Sequence, residues 1–339
     1  MKKITVFLIC ILAYNNTFAQ DRVITTAVPF LLIAADARSA SMGDIGIATS
    51  ADAFSQQWNP AKYAFAIDKI GVGVSYTPYL TDLVNDISLG QLNYYNRINE
   101  RSAFAGSLRY FGLGDIELRE NFDDVPIIVS PNELALDVSY SLQLSSSFSM
   151  AVAARYIRSQ LKIPDASGDA SAASTFAVDV AGYFQSEEVA FDDFNGRWRA
   201  GFNFQNMGPK MNYNADVSDL TSNFIPANMK LGGGFDFIFD EYNKITLNAE
   251  INKLMVPTPQ EVTDVNGDGV IDGLDQTIVN DEYNSIGWVS GMFQSFTDAP
   301  DGFSEELKEF TWALGTEYSY QDAFLFRLGY FHESPEKGA

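Results

Sequence analysis

The sequence predicts an all-β protein, a transmembrane antiparallel outer-membrane β-barrel with an N-terminal segment tucked inside it. Three observations carry this. The chain opens on an export leader. Behind the leader, no apolar run approaches the eighteen or so residues that a membrane-spanning helix needs. From residue 70 onward, segments of about ten residues alternate with a period of two and carry aromatics near their ends. An exported chain that meets lipid without such a helix must satisfy its backbone between strands, and only a closed barrel does that.

Residues 1–19 read as a signal peptide. Lys2 and Lys3 supply the positive start, Ile4 to Ala13 the apolar centre, and Thr17-Phe18-Ala19 the cleavage site, so the mature chain begins at Gln20. Cys10 lies inside the apolar centre, not at the cut, which argues against a lipoprotein. The mature chain then has no thiol, and disulfides, thiolate metal sites and cysteine nucleophiles are excluded.

Residues 20–66 read as a plug or hatch segment. The stretch from Val28 to Ala64 is rich in Ala, Ser and Gly, with Gly43, Gly46 and the turn-forming Asn59-Pro60. Small residues let backbone pack closely without bulk. That composition suits a segment enclosed by protein, not one that faces lipid.

Residues 67–339 carry the barrel. Eleven strands are expected, at 70–79, 84–95, 101–110, 133–144, 149–160, 174–186, 196–205, 227–239, 243–254, 309–320 and 322–332. In the tenth, Phe310, Trp312, Leu314, Tyr318 and Tyr320 share one face, with Thr311, Ala313, Gly315, Glu317 and Ser319 on the other. Ile245, Leu247, Ala249 and Ile251 alternate in the same way with Thr246, Asn248, Glu250 and Asn252. Phe310, Trp312, Phe324 and Leu328 should face lipid; Arg101, Arg109, Arg155, Glu250, Glu317 and Arg327 should face inward. A soluble sandwich also alternates. Strand length, aromatic ends and the leader together favour the barrel. Gly232-Gly-Gly234, inside a strand, marks a bend or a place where the plug packs.

Composition narrows the partners. The formal charge is −22, and losing two lysines with the leader makes it more negative still. Such a chain repels nucleic acid, whose binding rests on Lys and Arg neutralising phosphates. Only 19% of residues are charged and 14% are aromatic, which excludes general disorder.

Short turns at Asp240–Asn243 and Tyr320–Asp322 belong to the periplasmic side; the long connections near 111–132, 160–173, 206–225 and 255–308 face outward. The last is too long for a passive link. It contains Asp264-Val-Asn-Gly-Asp-Gly-Val-Ile-Asp-Gly-Leu-Asp275. Against the calcium loop of EF-hands, Asp264, Asn266, Asp268, the Val270 carbonyl, Asp272 and Asp275 take the ligand positions, with Gly269 at the sharp turn. Asp275 stands where Glu is usual, which shortens the reach, and no convincing amphipathic helices flank the loop. An acidic turn in an acidic protein is the plainer reading; the number of matched positions favours a structural Ca2+.

Further along, Trp288, Met292, Phe293 and Phe296, with Ile286, Val289 and Phe303, concentrate apolar surface in an outward connection. They either mark a partner-binding surface or fold over the barrel mouth. Signs of catalysis are weak. His332 is the sole histidine and closes a strand, no serine sits in a Gly-x-Ser-x-Gly elbow, and Asp192-Asp193 and Glu305-Glu306 read as solvated pairs. The residues alone leave open a membrane channel and a calcium-stabilised surface adhesin.

Ala35-Asp-Ala-Arg-Ser39, Met42-Gly43 and Trp58-Asn-Pro-Ala61 resemble the start of the PorV family (also called LptO), outer-membrane components of the type IX secretion system of Bacteroidetes related to FadL-like barrels. The resemblance continues along the chain. It implies an outer-membrane protein that binds cargo carrying a C-terminal signal domain at the SprA (Sov) translocon barrel and delivers it to the surface attachment complex with the PorU sortase. The alternative it implies is a FadL-like channel for hydrophobic small molecules. FadL-like barrels have fourteen strands, so some three C-terminal strands are expected to be missing beyond the loop-like tail at 333–339.

Overall fold

The computed structural model describes residues 24–334 except 83, 120–122, 124, 162–171, 214–221 and 301. The signal peptide, the cleavage site and residues 335–339 lie outside the described residues. Fourteen strands follow one another: β1 (Ile70–Pro78), β2 (Ile87–Arg97), β3 (Ser102–Leu113), β4 (Ile116–Leu118), β5 (Ile127–Val129), β6 (Asn132–Gln143), β7 (Phe148–Gln160), β8 (Ala173–Gln185), β9 (Val189–Ala190), β10 (Asn195–Met207), β11 (Asn228–Ile238), β12 (Asn243–Leu254), β13 (Phe310–Tyr320) and β14 (Phe324–His332). Eleven are long, and they are the eleven expected, displaced by no more than a few residues.

These eleven form one antiparallel meander in the order β1-β2-β3-β6-β7-β8-β10-β11-β12-β13-β14, with β9 added beside β10. β4 and β5 make a separate small hairpin inside the 111–132 connection. Along each long strand the two faces are opposite in chemistry. Leu92, Leu108, Leu136, Val138, Val152, Phe176, Leu247, Trp312 and Leu314 are exposed outward, while Asn93, Ser107, Arg109, Asp137, Arg155, Asp179, Thr246, Glu250 and Glu317 are buried inward. A soluble domain hides its apolar face; this one displays it. That inversion, over strands of nine to thirteen residues, is the pattern of a barrel bathed in lipid. The protein is an outer-membrane β-barrel. No helix among the described residues is long and apolar enough to cross a membrane.

Local chemistry shapes the wall. The β13–β14 turn places Gln321 and Asp322 at positive φ (56° and 50°), the mirror-type hairpin turn whose twist matches the strands. Between Phe204 and Met207 the β8–β10 register slips. At this bulge Asn206, at φ 57°, turns its amide inward to donate to Asp179 at 2.7 Å.

Two inward assignments change. Arg101 is exposed, because it sits at the turn before β3 and donates to the Gln143 carbonyl instead (2.9 Å). β14 pairs with β13 only, among the described residues, and shows both faces: Leu325 and Phe331 are exposed as well as Phe324 and Leu328. Arg327 is half-buried there and reaches Glu317 at 2.6 Å.

Residues 24–66 run through the space the inward faces enclose. A 3₁₀ turn (Pro29–Leu32), α1 (Ala37–Ala40), α2 (Ser55–Trp58) and a second 3₁₀ turn (Pro60–Phe65) are joined by tight bends. The start lies at the long-loop end, where the Ala27 amide donates to the Phe224 carbonyl at 2.8 Å. The finish lies at the short-turn end, where Arg97 donates to the Ala66 carbonyl at 2.7 Å.

The 255–308 connection is no irregular loop. It holds α3 (Gly273–Ser285), α4 (Trp288–Gln294), α5 (Phe303–Glu306) and a 3₁₀ turn (Leu307–Glu309). α3 starts inside the acidic motif, with Asp272 as N-cap and Asp275 completing a capping box. A helix therefore leaves the calcium-like loop, but it is not an amphipathic one. Glu306, expected to be solvated, is buried, because α5 folds it back against Lys253 at the end of β12.

Candidate functional site: the filled lumen and the outer rim

Strands on several sides of the lumen offer polar groups that the enclosed segment meets. Asp36 caps α1 through the Ser39 amide (2.8 Å) and takes the Trp58 indole N–H on its other oxygen (2.7 Å). This clamps the two halves of the segment together. Arg38 lies between Asp52 (2.8 Å) and Glu317 of β13 (3.1 Å). Glu250 of β12 accepts the amides of Gly46 (2.9 Å) and Ile47 (3.0 Å). Asn59 donates to Ile47 and to Gly182 of β8 (3.0 and 2.9 Å), and Asn203 of β10 donates to the Trp58 carbonyl (2.7 Å). Across the lumen, Arg109 of β3 gathers the carbonyls of Phe30, Leu31 and Ile33 at 2.7–3.0 Å. Ser139 of β6 donates to Gln56 (2.6 Å), and Ser149 of β7 to Ala61 (2.7 Å).

The small residues matter where backbones approach. A Cβ on Gly329 would stand 2.0 Å from the Met42 carbonyl carbon, and one on Gly46 would stand 2.1 Å from the Trp58 ring. In the triplet at 232–234, a Cβ on Gly232 would press on Ile47 at 3.1 Å. The triplet thus lies against the enclosed segment.

Burial sets the charges of the segment. Loss of water depresses the Lys62 ammonium to about 8, even with Asp52 nearby. It donates to the Gly46 carbonyl (2.7 Å) and the Thr49 hydroxyl (2.9 Å). Burial pushes the Asp52 carboxyl up, but Lys62 and Arg38 outweigh it and hold the group below its ordinary value. The wall has its own pairs: Arg155 bridges Asp137 (2.6 Å) and Asp179 (3.0 Å), all three buried. These groups lock structure.

The outer rim is built differently. In the acidic loop, Asp264 accepts the amides of Gly267 (2.7 Å), Asp268 (3.1 Å) and Gly269 (2.8 Å). Asn266 accepts that of Asp268, and Asp268 that of Val270 (both 2.8 Å). Asp275 gathers the amides of Val265, Asn266 and Asp272 at 2.9–3.1 Å, and these bonds hold its carboxyl below the usual range, the Asp272 amide most of all. Gly267 and Gly269 take φ 76° and 86°, a conformation that glycine adopts at little cost. The donor set is all oxygen, as calcium requires. Even so, the carboxylates brought within 4.8 Å of one another, among the described residues, are others: Asp298, Glu306 and Glu309. Sequence reasoning missed that cluster. Glu306 and Glu309 are three residues apart on adjoining turns, and Asp298 joins them by the fold of the excursion.

The aromatic and sulfur side chains of this stretch divide. Phe293 on α4 is 74% exposed and Phe303 77%. Trp288, Met292 and Phe296 are half-buried, with Phe296 covering the Lys253 ammonium at 5.6 Å. α4 sits tightly: a Cβ on Gly291 would meet Phe224 and Pro257 at 2.9 Å.

Comparison with known proteins places the chain. The family model described as type IX secretion system protein PorV matches residues 16–261. Among solved structures, a mutant TodX monoaromatic hydrocarbon channel is similar over 87% of this chain and 81% of its own, at 12% identity and a TM-score of 0.45. A NanC porin is similar over 54% of this chain and 86% of its own, at 8% identity and a TM-score of 0.22. No curated protein gives a match. The barrel architecture rests on the sheet itself, not on these distant likenesses.

Proposed function

The chain belongs to the PorV family of type IX secretion system proteins, and from that premise we propose that it binds secreted cargo at its outer rim instead of passing anything through its centre. Cargo bearing a C-terminal signal domain is taken from the SprA/Sov-type translocon barrel and handed to the attachment complex with its PorU-type sortase. The single observation that carries this is the contrast between a lumen packed with residues 24–66 and a rim that exposes Phe293 and Phe303 on helices. Exposed aromatics on a tethered support give contact area at modest entropic cost. Trp288, Met292 and Phe296 support that surface from beneath. A channel for hydrophobic small molecules, the other reading, has to route an apolar ligand past buried Arg109, Arg155 and Glu250.

In the same proposal, residues 20–66 are the plug, and Ca2+ held by Asp264, Asn266, Asp268, the Val270 carbonyl, Asp272 and Asp275 fixes the excursion in the external medium. The test is Trp288→Ser with Phe293→Ser. Barrel assembly should be normal while secretion of signal-bearing cargo falls severalfold. Normal secretion moves the contact surface to another loop, and loss of fatty-acid uptake instead favours the channel.

A further inference from the structure

At the foot of the outer excursion, where it returns to β13, three carboxylates meet. We propose that Asp298, Glu306 and Glu309 form a buried site for a divalent cation of the calcium class, separate from the acidic loop at 264–275. Their ligand oxygens all lie within 4.8 Å of one another. Oxygens bound to one calcium ion at about 2.3–2.6 Å each can be no farther apart than about 5 Å, so a single ion can reach all three groups.

The donors present do not satisfy this cluster. Lys253, with its side chain fully buried, pairs with Glu306 Oε1 at 2.7 Å and with Glu309 Oε2. Thr258 gives its amide to Asp298 Oδ2 (3.0 Å), while its hydroxyl lies 2.7 Å from Glu309 Oε1 and 3.3 Å from Asp298 Oδ1. A hydroxyl has one proton, so it serves one of those oxygens at a time. Glu306 Oε2 has no hydrogen-bond partner among the described residues, although the Glu306 side chain is only 7% exposed. An orphaned carboxylate oxygen in a buried place is expensive.

Charge reaches the same conclusion. Three carboxylates face one ammonium, an excess of two negative charges, and one divalent cation cancels it. The donors are all hard oxygens, with no imidazole or thiolate, which selects calcium-like ions over zinc. The site would tie α5 and the last turn of the excursion to Lys253 of β12 and Thr258, and so fix the platform that carries Phe293 and Phe303.

The experiment uses the full chain in detergent carrying Asp264→Ala and Asp268→Ala, dialysed to equilibrium against Ca2+. One equivalent should be retained. Glu306→Gln in that background should weaken retention on the order of tenfold or more. Asp298→Asn, which leaves both Lys253 ion pairs in place, should do the same and serves as the measure if the first variant does not assemble. No calcium retained in the starting chain overturns the proposal, since the excess charge is then balanced by a proton. Retention indifferent to both substitutions overturns it as well. Equal stoichiometry with and without the loop aspartates removes calcium from the 264–275 loop and leaves this site standing.

Discussion

The lumen and the outer rim solve opposite problems with the same residue types. In the lumen, Arg109, Arg155 and Glu250 are buried and Arg38 is half-buried, and each is held by two or more partners in other elements of the fold. In the acidic loop of the rim, polar groups bond to their own neighbours, as Asp264 does to residues 267–269, and Phe293 and Phe303 are exposed. Charge buried and cross-linked fixes one arrangement, because any other leaves ions unpaired in a low dielectric. Charge satisfied locally fixes only its own loop. The lumen is therefore the more cross-linked part of the molecule.

The comparison breaks most decisively at Arg155. Arg155→Met should strand Asp137 and Asp179 inside the wall and cost about 3–5 kcal/mol, read as a large fall in the unfolding midpoint of the barrel in detergent. A midpoint unchanged from the parent would show that the wall pairs are not what holds the barrel. A smaller effect is expected from Glu250→Gln, which keeps an acceptor for Gly46 and Ile47 but loses its charge, at roughly 1–2 kcal/mol. If the enclosed segment seals the lumen, planar bilayers should record more frequent openings from this variant. Silence equal to the parent argues that the seal does not depend on this anchor.

Lys62 sharpens the comparison through pH. Its ammonium loses its proton near pH 8 in the folded chain and only near 10.5 when unfolded. Below about 8 both states are protonated and the burial penalty is present in full. Between these values the unfolded chain binds more protons, so stability should rise with pH by at most about 1.4 kcal/mol per unit. The rise, measured as the parent minus Lys62→Met, should vanish below pH 7; a difference that is flat from 7 to 10 rejects it. The smallest global effect belongs to the rim. Asp264→Ala with Asp268→Ala should leave the unfolding midpoint within about 0.5 kcal/mol while making residues 255–308 more sensitive to protease. Resistance identical with and without a chelator counts against calcium there.

Much of this architecture is legible in the sequence, because a period of two survives wherever one face meets lipid and the other a polar interior. Trp312 and Glu317 declare opposite sides of β13 from their spacing alone. The failures are equally physical. Arg101 has the right parity but lies at a turn, where parity no longer decides direction. The helix at Gly273–Ser285 hides because Asp272 and Asp275 serve as cap and capping-box residues, and acidic residues at that spacing read first as ligands. The fate of Glu306 is set by Lys253, and that lysine's other partner, Glu309, is 56 residues away. No local pattern encodes such a meeting.

The pairing of Arg38 with Glu317 has a consequence in time. The two residues are 279 positions apart, so Arg38 meets this partner only after all the chain between them has followed. Contacts of that span are the slowest to form. Until β13 arrives, the Arg38 guanidinium and the many amides beside it have to be kept wet or be shielded by something else. The order of events is thereby constrained: the early segment waits, and the wall from β1 to β12 is wound around it before β13 can latch it.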